Sequence, residues 1–202
     1  MRFFRPSLLA KLIYPDAVFR IRTSEKILYL TFDDGPDPGS TPLILEILEQ
    51  KNTRAVFFCS GKAAEAYPAL VETIKEQGHM VGNHCYDHLN GWRTSTDNYC
   101  YDVDRASGFT SDKIFRPPYG RMKPRQYKLL RRKYRIFMWD LMSYDYDRNF
   151  GPHRTLNVVK RKIRPGSVIV FHDKPSSASL LMLRDFLEFA GVRGYRFDTP
   201  AF

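Results

Sequence analysis

Cysteine is scarce. Three thiols in 202 residues, Cys59, Cys85 and Cys100, fit no disulfide ladder, and a reducing compartment is the modest expectation. No apolar run approaches the length of a membrane span, so no transmembrane segment is expected. Low-complexity stretches, internal repeats and Pro/Gly/Ser-rich linkers are also missing, which leaves a single domain. The first apolar strand is followed by no Gly-rich phosphate loop, and this removes the main support for a nucleotide-binding open sheet. Near the N-terminus Pro6, Lys11, Pro15 and Asp16 interrupt the apolar stretch, and no small-x-small cleavage site follows. The lack of a clear export signal predicts a cytoplasmic protein, with an extracytoplasmic location as the alternative.

Negative charge is also in short supply, with 22 acidic against 32 basic residues, a formal net charge of +10 and a pI near 9.6. Such a balance attracts acidic partners without choosing among them. The basic residues concentrate in 121–135 and 154–164, where they interleave with apolar positions as solvated helix faces would. No helix-turn-helix, zinc-finger or RNA-binding signature accompanies them, so no specific nucleic-acid partner is expected.

The chemistry lies in a few short motifs. Thr31-Phe32-Asp33-Asp34-Gly35-Pro36 ends an apolar run, Lys26 to Phe32, that reads as a buried parallel strand. His84 and His88 follow at a spacing that lets two imidazoles share one metal ion. A carboxylate with two neutral imidazoles is a three-ligand set that leaves positions open for water and substrate. Adjacent aspartates on a strand point to opposite faces, but a turn at Gly-Pro can redirect one, so that one binds metal while the other handles protons. Zinc suits these donors best, with cobalt, nickel or manganese as alternatives.

Strands are expected over 54–59, 79–83, 113–116, 135–140, 167–171 and 195–197. Helices are expected to start at Thr41 and to cover 64–77 in two pieces, 94–108, 124–133, 154–163 and 180–190. This alternation calls for a parallel sheet with helices outside, and a closed or nearly closed β/α barrel fits best. Polar clusters recur after the apolar runs: Asp33 and Asp34, His84 with His88, Arg116 with Tyr119, and His172 with Asp173, while the run ending at Trp139 leads to Asp145. In such folds chemistry gathers at the carboxyl ends of strands.

At these motifs the sequence resembles the polysaccharide deacetylases with a NodB-type domain, the carbohydrate esterases of family four. The resemblance runs over His84-Cys85-Tyr86-Asp87-His88, Arg116-Pro117-Pro118-Tyr119-Gly120, a fourth motif within 139–146, and Val170-Phe171-His172-Asp173, besides the Asp-Asp motif. It implies a single-domain distorted (β/α) barrel over residues 27–202. Residues 1–26 then form an amphipathic lead-in packed on the barrel, with a monotopic membrane contact as the alternative.

By the family pattern Asp33 is the general base, and Asp34, His84 and His88 hold one divalent metal. Arg116 orients Asp33, the Tyr119 backbone N–H faces the oxyanion, and His172 is the general acid, tuned by Asp145. Asp147 competes with Asp145 for that last role. Pro118, Tyr119, Tyr146 and Trp92 are the expected substrate contacts; Trp139 reads first as core, with a sugar-stacking wall as the alternative. The implied partner is an N-acetylated glycan of chitooligosaccharide or peptidoglycan type, from which N-acetyl groups are removed. An O-acetyl esterase and a non-catalytic glycan-binding module on the same fold are the alternatives, and nothing in the sequence speaks to oligomeric state. Three departures stand out: Cys85 where Ser or Thr is usual, Met142 in place of a frequent Asp, and Tyr146 in place of a frequent Trp.

Overall fold

Every residue of the first strand, β1 (Ile27–Asp33), is buried, as an apolar strand covered on both faces must be. The computed structural model describes residues 2–111 and 113–201. Around β1 it arranges β2 (Ala55–Cys59), β3 (Met80–Asn83), β4 (Ile114–Phe115), β5 (Arg135–Ile136), β6 (Leu141–Met142), β7 (Val168–His172) and β8 (Arg196–Phe197). The pairing is parallel throughout, in the order β5-β4-β3-β2-β1-β7-β6, with β8 added beside the start of β1. The helices are α1 (Leu8–Ile13), α2 (Thr41–Gln50), α3 (Gly61–Ala66), α4 (Pro68–Glu76), α5 (Thr96–Ser107), α6 (Pro124–Leu130), α7 (Pro152–Lys162) and α8 (Ser179–Val192). The result is a curled parallel sheet with helices outside, a distorted β/α barrel. Proline opens α4, α6 and α7 at the first helical turn, where its missing N–H costs nothing.

Alternation along the strands divides the core. Leu28, Leu30 and Phe32 of β1 pack outward with Ile169 and Phe171 of β7 and with Ile44, Leu48, Leu183 and Phe186 of the helices. Ile27 and Tyr29 turn inward with Val56, Phe58, Ile114, Phe137 and Val168. Because side chains change face at each residue, the inner row of β1 continues through Thr31 to Asp33, and that of β7 runs from Val168 to His172. By the same count Arg116 follows Ile114 inward. Gly82 leaves room on the inner face, since a Cβ there would lie 2.5 Å from the Phe58 ring. The barrel's interior is therefore apolar at its base and polar at the carboxyl ends of its strands.

The strand expected over 135–140 is cut short at Ile136, and a separate strand follows just beyond it. Residues 135–140 do not run as a unit: β5 pairs with β4, whereas β6 pairs with β7 on the far side of the sheet. The chain crosses an opening in the barrel between them, and the N-terminal segment spans it. The Val18 amide donates to Ile136 O at 2.8 Å, and the Met138 amide to Val18 O at 2.9 Å. At the other edge the Met142 amide donates to Phe4 O at 2.8 Å. Phe4 packs on Tyr144 and Phe150, and Tyr14 packs on Tyr127. Local propensity cannot show this, because the strand is divided by contacts with residues more than 100 positions away.

Candidate active site

The inner rows of β1, β3, β4 and β7 end around one cleft of about 500 Å³, lined by Asp33, Asp34, His84, His88, Arg116, Tyr119, Trp139, Tyr146 and His172 among others. Asp33 lies beside His172 in the β1–β7 register, so both reach the cleft at the same height. Asp34 would face away if β1 continued, but it takes φ +81° and the turn brings its carboxylate back. Six non-glycine residues among those described have positive φ, and Asp34, Cys85, His88, Tyr119 and Tyr144 lie in the loops around this cleft. Backbone strain is therefore concentrated where the chemistry would be.

Arg116 is the largest fully buried side chain. Its guanidinium donates to Asp33 Oδ1 at 2.7 Å, to Thr31 Oγ1 at 2.6 Å and to Met138 O at 2.9 Å, and it lies 4.1 Å above the Phe58 ring. This fixes one oxygen of Asp33 and leaves the other to the cleft. Across the cleft, His172 Nδ1 donates to Asp145 Oδ1 at 2.8 Å while its backbone N–H donates to Asp145 Oδ2 at 2.8 Å. Ser143 and Ser177 hydroxyls complete the hydrogen bonding of that carboxylate. Burial pulls the His172 imidazole down, but Asp145, followed by Asp33 and Asp34, outweighs it and lifts the imidazole to about 9. His172 therefore carries a proton at neutral pH.

Asp34, His84 and His88 form the one possible three-residue metal-ligand group among the described residues, with donor atoms all within 4.8 Å of one another. His84 Nδ1 lies 2.7 Å from Arg116 O. A carbonyl only accepts, so Nδ1 carries the hydrogen and Nε2, 3.6 Å from Asp34 Oδ1, presents its lone pair. Burial lowers His84 to about 4, which keeps it neutral as a ligand must be. His88 Nε2 is 3.0 Å from the same Asp34 oxygen, while its Nδ1 meets the Tyr119 hydroxyl at 3.2 Å. Burial pushes the Asp34 carboxyl up, yet the His88 hydrogen bond and neighbouring positive charge hold it well below the usual carboxylate range. Tetrahedral bonds of about 2.1 Å place ligands about 3.4 Å apart, so 3.0 and 3.6 Å suit one small divalent ion.

Of the expected residues, the cleft gathers Asp33, Asp34, His84, His88, Arg116, Tyr119, Tyr146 and His172, with Asp145 directly behind His172. Tyr146 stands edge-on to His172 with ring centres 4.8 Å apart. Between the two aspartates of the fourth motif the geometry is decisive: Asp145 holds His172, while Asp147 pairs with Arg2. Two expected substrate contacts require correction. Trp92 does not line the cleft, because its indole N–H donates to Met122 O at 3.1 Å and Arg121 covers its ring. Pro118 is buried beneath the 3₁₀ turn Pro118–Gly120 and is likewise absent from the lining.

Trp139, read as core, forms a wall of the cleft instead. Its ring lies where a Cβ on Gly120 would be, 2.4 Å away, so glycine is required there. Sequence reasoning also missed Lys174, whose Nζ sits 2.8 Å from Asp34 Oδ2. Its place directly after His172-Asp173 was the available signal. Asp173 is structural, since its carboxylate accepts from Ser40 and Thr41 hydroxyls at 2.6 Å and fills the space that a Cβ on Gly35 would need. Cys85 lies buried with Tyr99 and Phe115, away from the metal donors, and its amide donates to Asn83 Oδ1.

Comparison with known proteins decides the family. The polysaccharide deacetylase family model matches residues 20–134, more than half of the chain. The chain belongs to the polysaccharide deacetylase family. A peptidoglycan-N-acetylglucosamine deacetylase of Bacillus cereus is 35% identical over 84% of this chain, which spans 65% of that relative's length. A crystal structure of a peptidoglycan N-acetylglucosamine deacetylase superposes with a TM-score of 0.84 at 32% identity, covering 90% of this chain and 89% of the other. A CE4 family pseudoenzyme from Bacillus anthracis gives 0.81 at 26% identity, covering 91% and 66%. The fold of this chain is thus shared by deacetylases and by a pseudoenzyme, and activity has to be argued from the side chains.

Proposed function

We propose that this polysaccharide deacetylase is a divalent-metal-dependent hydrolase that removes N-acetyl groups from N-acetylglucosamine-containing glycans. One observation carries the reading: the Asp33–Arg116 and His172–Asp145 pairs face each other across the Asp34, His84 and His88 donors. A binding module has no need of that arrangement, which supports an active site over a fold kept without its chemistry. Two of the three proteins compared, the peptidoglycan N-acetylglucosamine deacetylases, support the substrate class.

Asp34, His84 and His88 would hold the ion, zinc by preference and cobalt, nickel or manganese by the same donors. When bound, it supplies positive charge that acidifies water and polarises an acyl carbonyl. The chain's own groups do the rest. Asp33, held by Arg116 through one oxygen, takes the proton from the attacking water with the other. Tyr119, at φ 61°, presents its amide N–H to the carbonyl oxygen as negative charge gathers there. Collapse of the tetrahedral species must expel an amine, which is a poor leaving group unless protonated. His172 already holds a proton at neutral pH and delivers it from Nε2 to that nitrogen, while Asp145 stabilises the imidazolium beforehand.

The test is acetate release from N-acetylglucosamine oligomers and peptidoglycan fragments by the zinc-loaded protein. Release by the wild type, with loss of at least about a hundredfold in Asp33→Asn and in His172→Ala, is expected. Oligosaccharide binding with no acetate from any substrate would mark a binding module. An O-acetyl ester substrate separates the remaining alternative, since an alkoxide needs the acid less and an esterase would tolerate His172→Ala.

A further inference from the structure

The lead-in helix α1 is built the wrong way round for a water-facing surface. Leu8, Leu9, Leu12 and Ile13 share one face of the helix and are all exposed, Leu8 and Leu12 at 78% and 77%. Phe3, just upstream, is 69% exposed. The opposite face offers only Ala10 to the interior, and α1 buries no residue at all. A surface helix normally turns its apolar face to the core, and a contiguous apolar patch left outside marks a contact with something else.

Charge beside the patch narrows what that contact is. Lys11 lies on α1 itself, and Lys162 in the last turn of α7 lies against the segment leading into it. Arg5 donates to Lys162 O, and Lys162 Nζ lies 5.5 Å above the Phe4 ring. Among the described residues no ion pair neutralises Lys11 or Lys162, whereas Arg2 and Arg5 are spent on Asp147 and Asp140. A second copy of this chain fits poorly, because a two-fold interface on this face would bring the same lysines together on a protein of net charge +10. An anionic lipid surface satisfies both features at once.

We propose that α1 is a monotopic contact with an anionic bilayer, its leucine face entering the acyl boundary and Lys11 and Lys162 meeting acidic headgroups. Both ends of the lead-in are tied to the rim of the active-site cleft. Phe3 N–H donates to the Tyr144 hydroxyl at 3.0 Å, and the Tyr14 hydroxyl donates to Met122 O at 2.5 Å. Docking therefore sets the attitude of the cleft to the membrane as well as its distance.

The test is co-sedimentation of the full chain with extruded vesicles, either phosphatidylcholine alone or phosphatidylcholine mixed with phosphatidylglycerol, at low and high salt. Binding to the mixed vesicles that weakens with salt is expected, with little binding to phosphatidylcholine. The Leu8→Ser/Leu12→Ser variant should lose at least about tenfold in partitioning while keeping its circular dichroism and melting temperature, since both side chains are already exposed. Lys11→Glu/Lys162→Glu should remove the salt-sensitive part. Three results would overturn the proposal: wild type remaining in solution with mixed vesicles, binding undiminished in the leucine variant, or a wild-type dimer that the leucine variant dissociates.

Discussion

Replacing Asp145 by Asn keeps the shape of the His172 partner and removes its charge. The asparagine carbonyl can still accept the Nδ1 hydrogen and orient the ring, at the cost of setting its NH2 against the His172 backbone N–H, while the main influence raising the imidazole's proton affinity is lost. In the wild type His172 is lifted from 6.5 to about 9; without Asp145 the largest raising influence is gone and the imidazole falls back toward its ordinary 6.5. At pH 8 the protonated fraction then falls from about nine-tenths to about three-hundredths, roughly a 30-fold loss of the competent acid. At pH 6 both proteins are mostly protonated and the difference shrinks to less than about twofold. The assay is kcat/KM for acetate release against pH, with wild type and Asp145→Asn loaded with the same metal. A bound dication lowers the imidazole further, so the wild-type basic limb is expected at or below about 9, with the variant's displaced well to lower pH. Equal losses at pH 6 and pH 8, or superimposable basic limbs, would refute the assignment of Asp145 as the group that keeps His172 protonated.

The same pair links folding to pH. A raised imidazole contributes stability that is complete below pH 6.5 and fades as pH rises through about 9, so the gap in melting temperature between wild type and Asp145→Asn should narrow across that window. Arg116→Met removes a buried cation and leaves Asp33 buried without its partner; a loss of about 3–5 kcal/mol in urea unfolding is expected, and a loss under about 1 kcal/mol would contradict the role given to Arg116. Lys174→Met removes a half-exposed ammonium that competes for Asp34, so zinc affinity by calorimetric titration should rise by about two- to fivefold. Unchanged or weaker affinity would show that Lys174 does not compete for the ligand. Gly120→Ala should cut activity on oligosaccharides, because both its positive φ and the 2.4 Å approach to Trp139 force the cleft wall to move; unaltered activity would count against Trp139 as a wall.

Much of this was legible in the chain because the chemistry is local. Asp33-Asp34, His84 with His88, Arg116 and His172 sit at or close to the ends of apolar strands, and period-two alternation is enough to turn Asp33 and His172 inward. The barrel likewise follows from repeated strand-helix units. What sequence could not supply depends on distant partners. The split of 135–142 into two strands on opposite edges is set by Val18 and Phe4, far away in the chain. Asp145 and Asp147 are equivalent by composition, and only the fold gives one His172 and the other Arg2. Trp139 rather than Trp92, which stays exposed at the surface, lines the cleft for the same reason: aromaticity predicts a contact, while topology decides which ring meets the cleft. Solvent-facing leucines on α1 run against the pattern rule itself, and such violations are where a function beyond folding is to be sought.

Convergence of Asp34, His84 and His88 on one ion is the central claim. Zinc titration of metal-stripped protein, read by calorimetry and checked by elemental analysis after dialysis, tests this most directly. One ion per wild-type chain is expected, with none retained in His84→Ala or Asp34→Ala proteins that keep the wild-type circular dichroism. An unchanged stoichiometry in those variants, or a wild type that retains no metal, would contradict it.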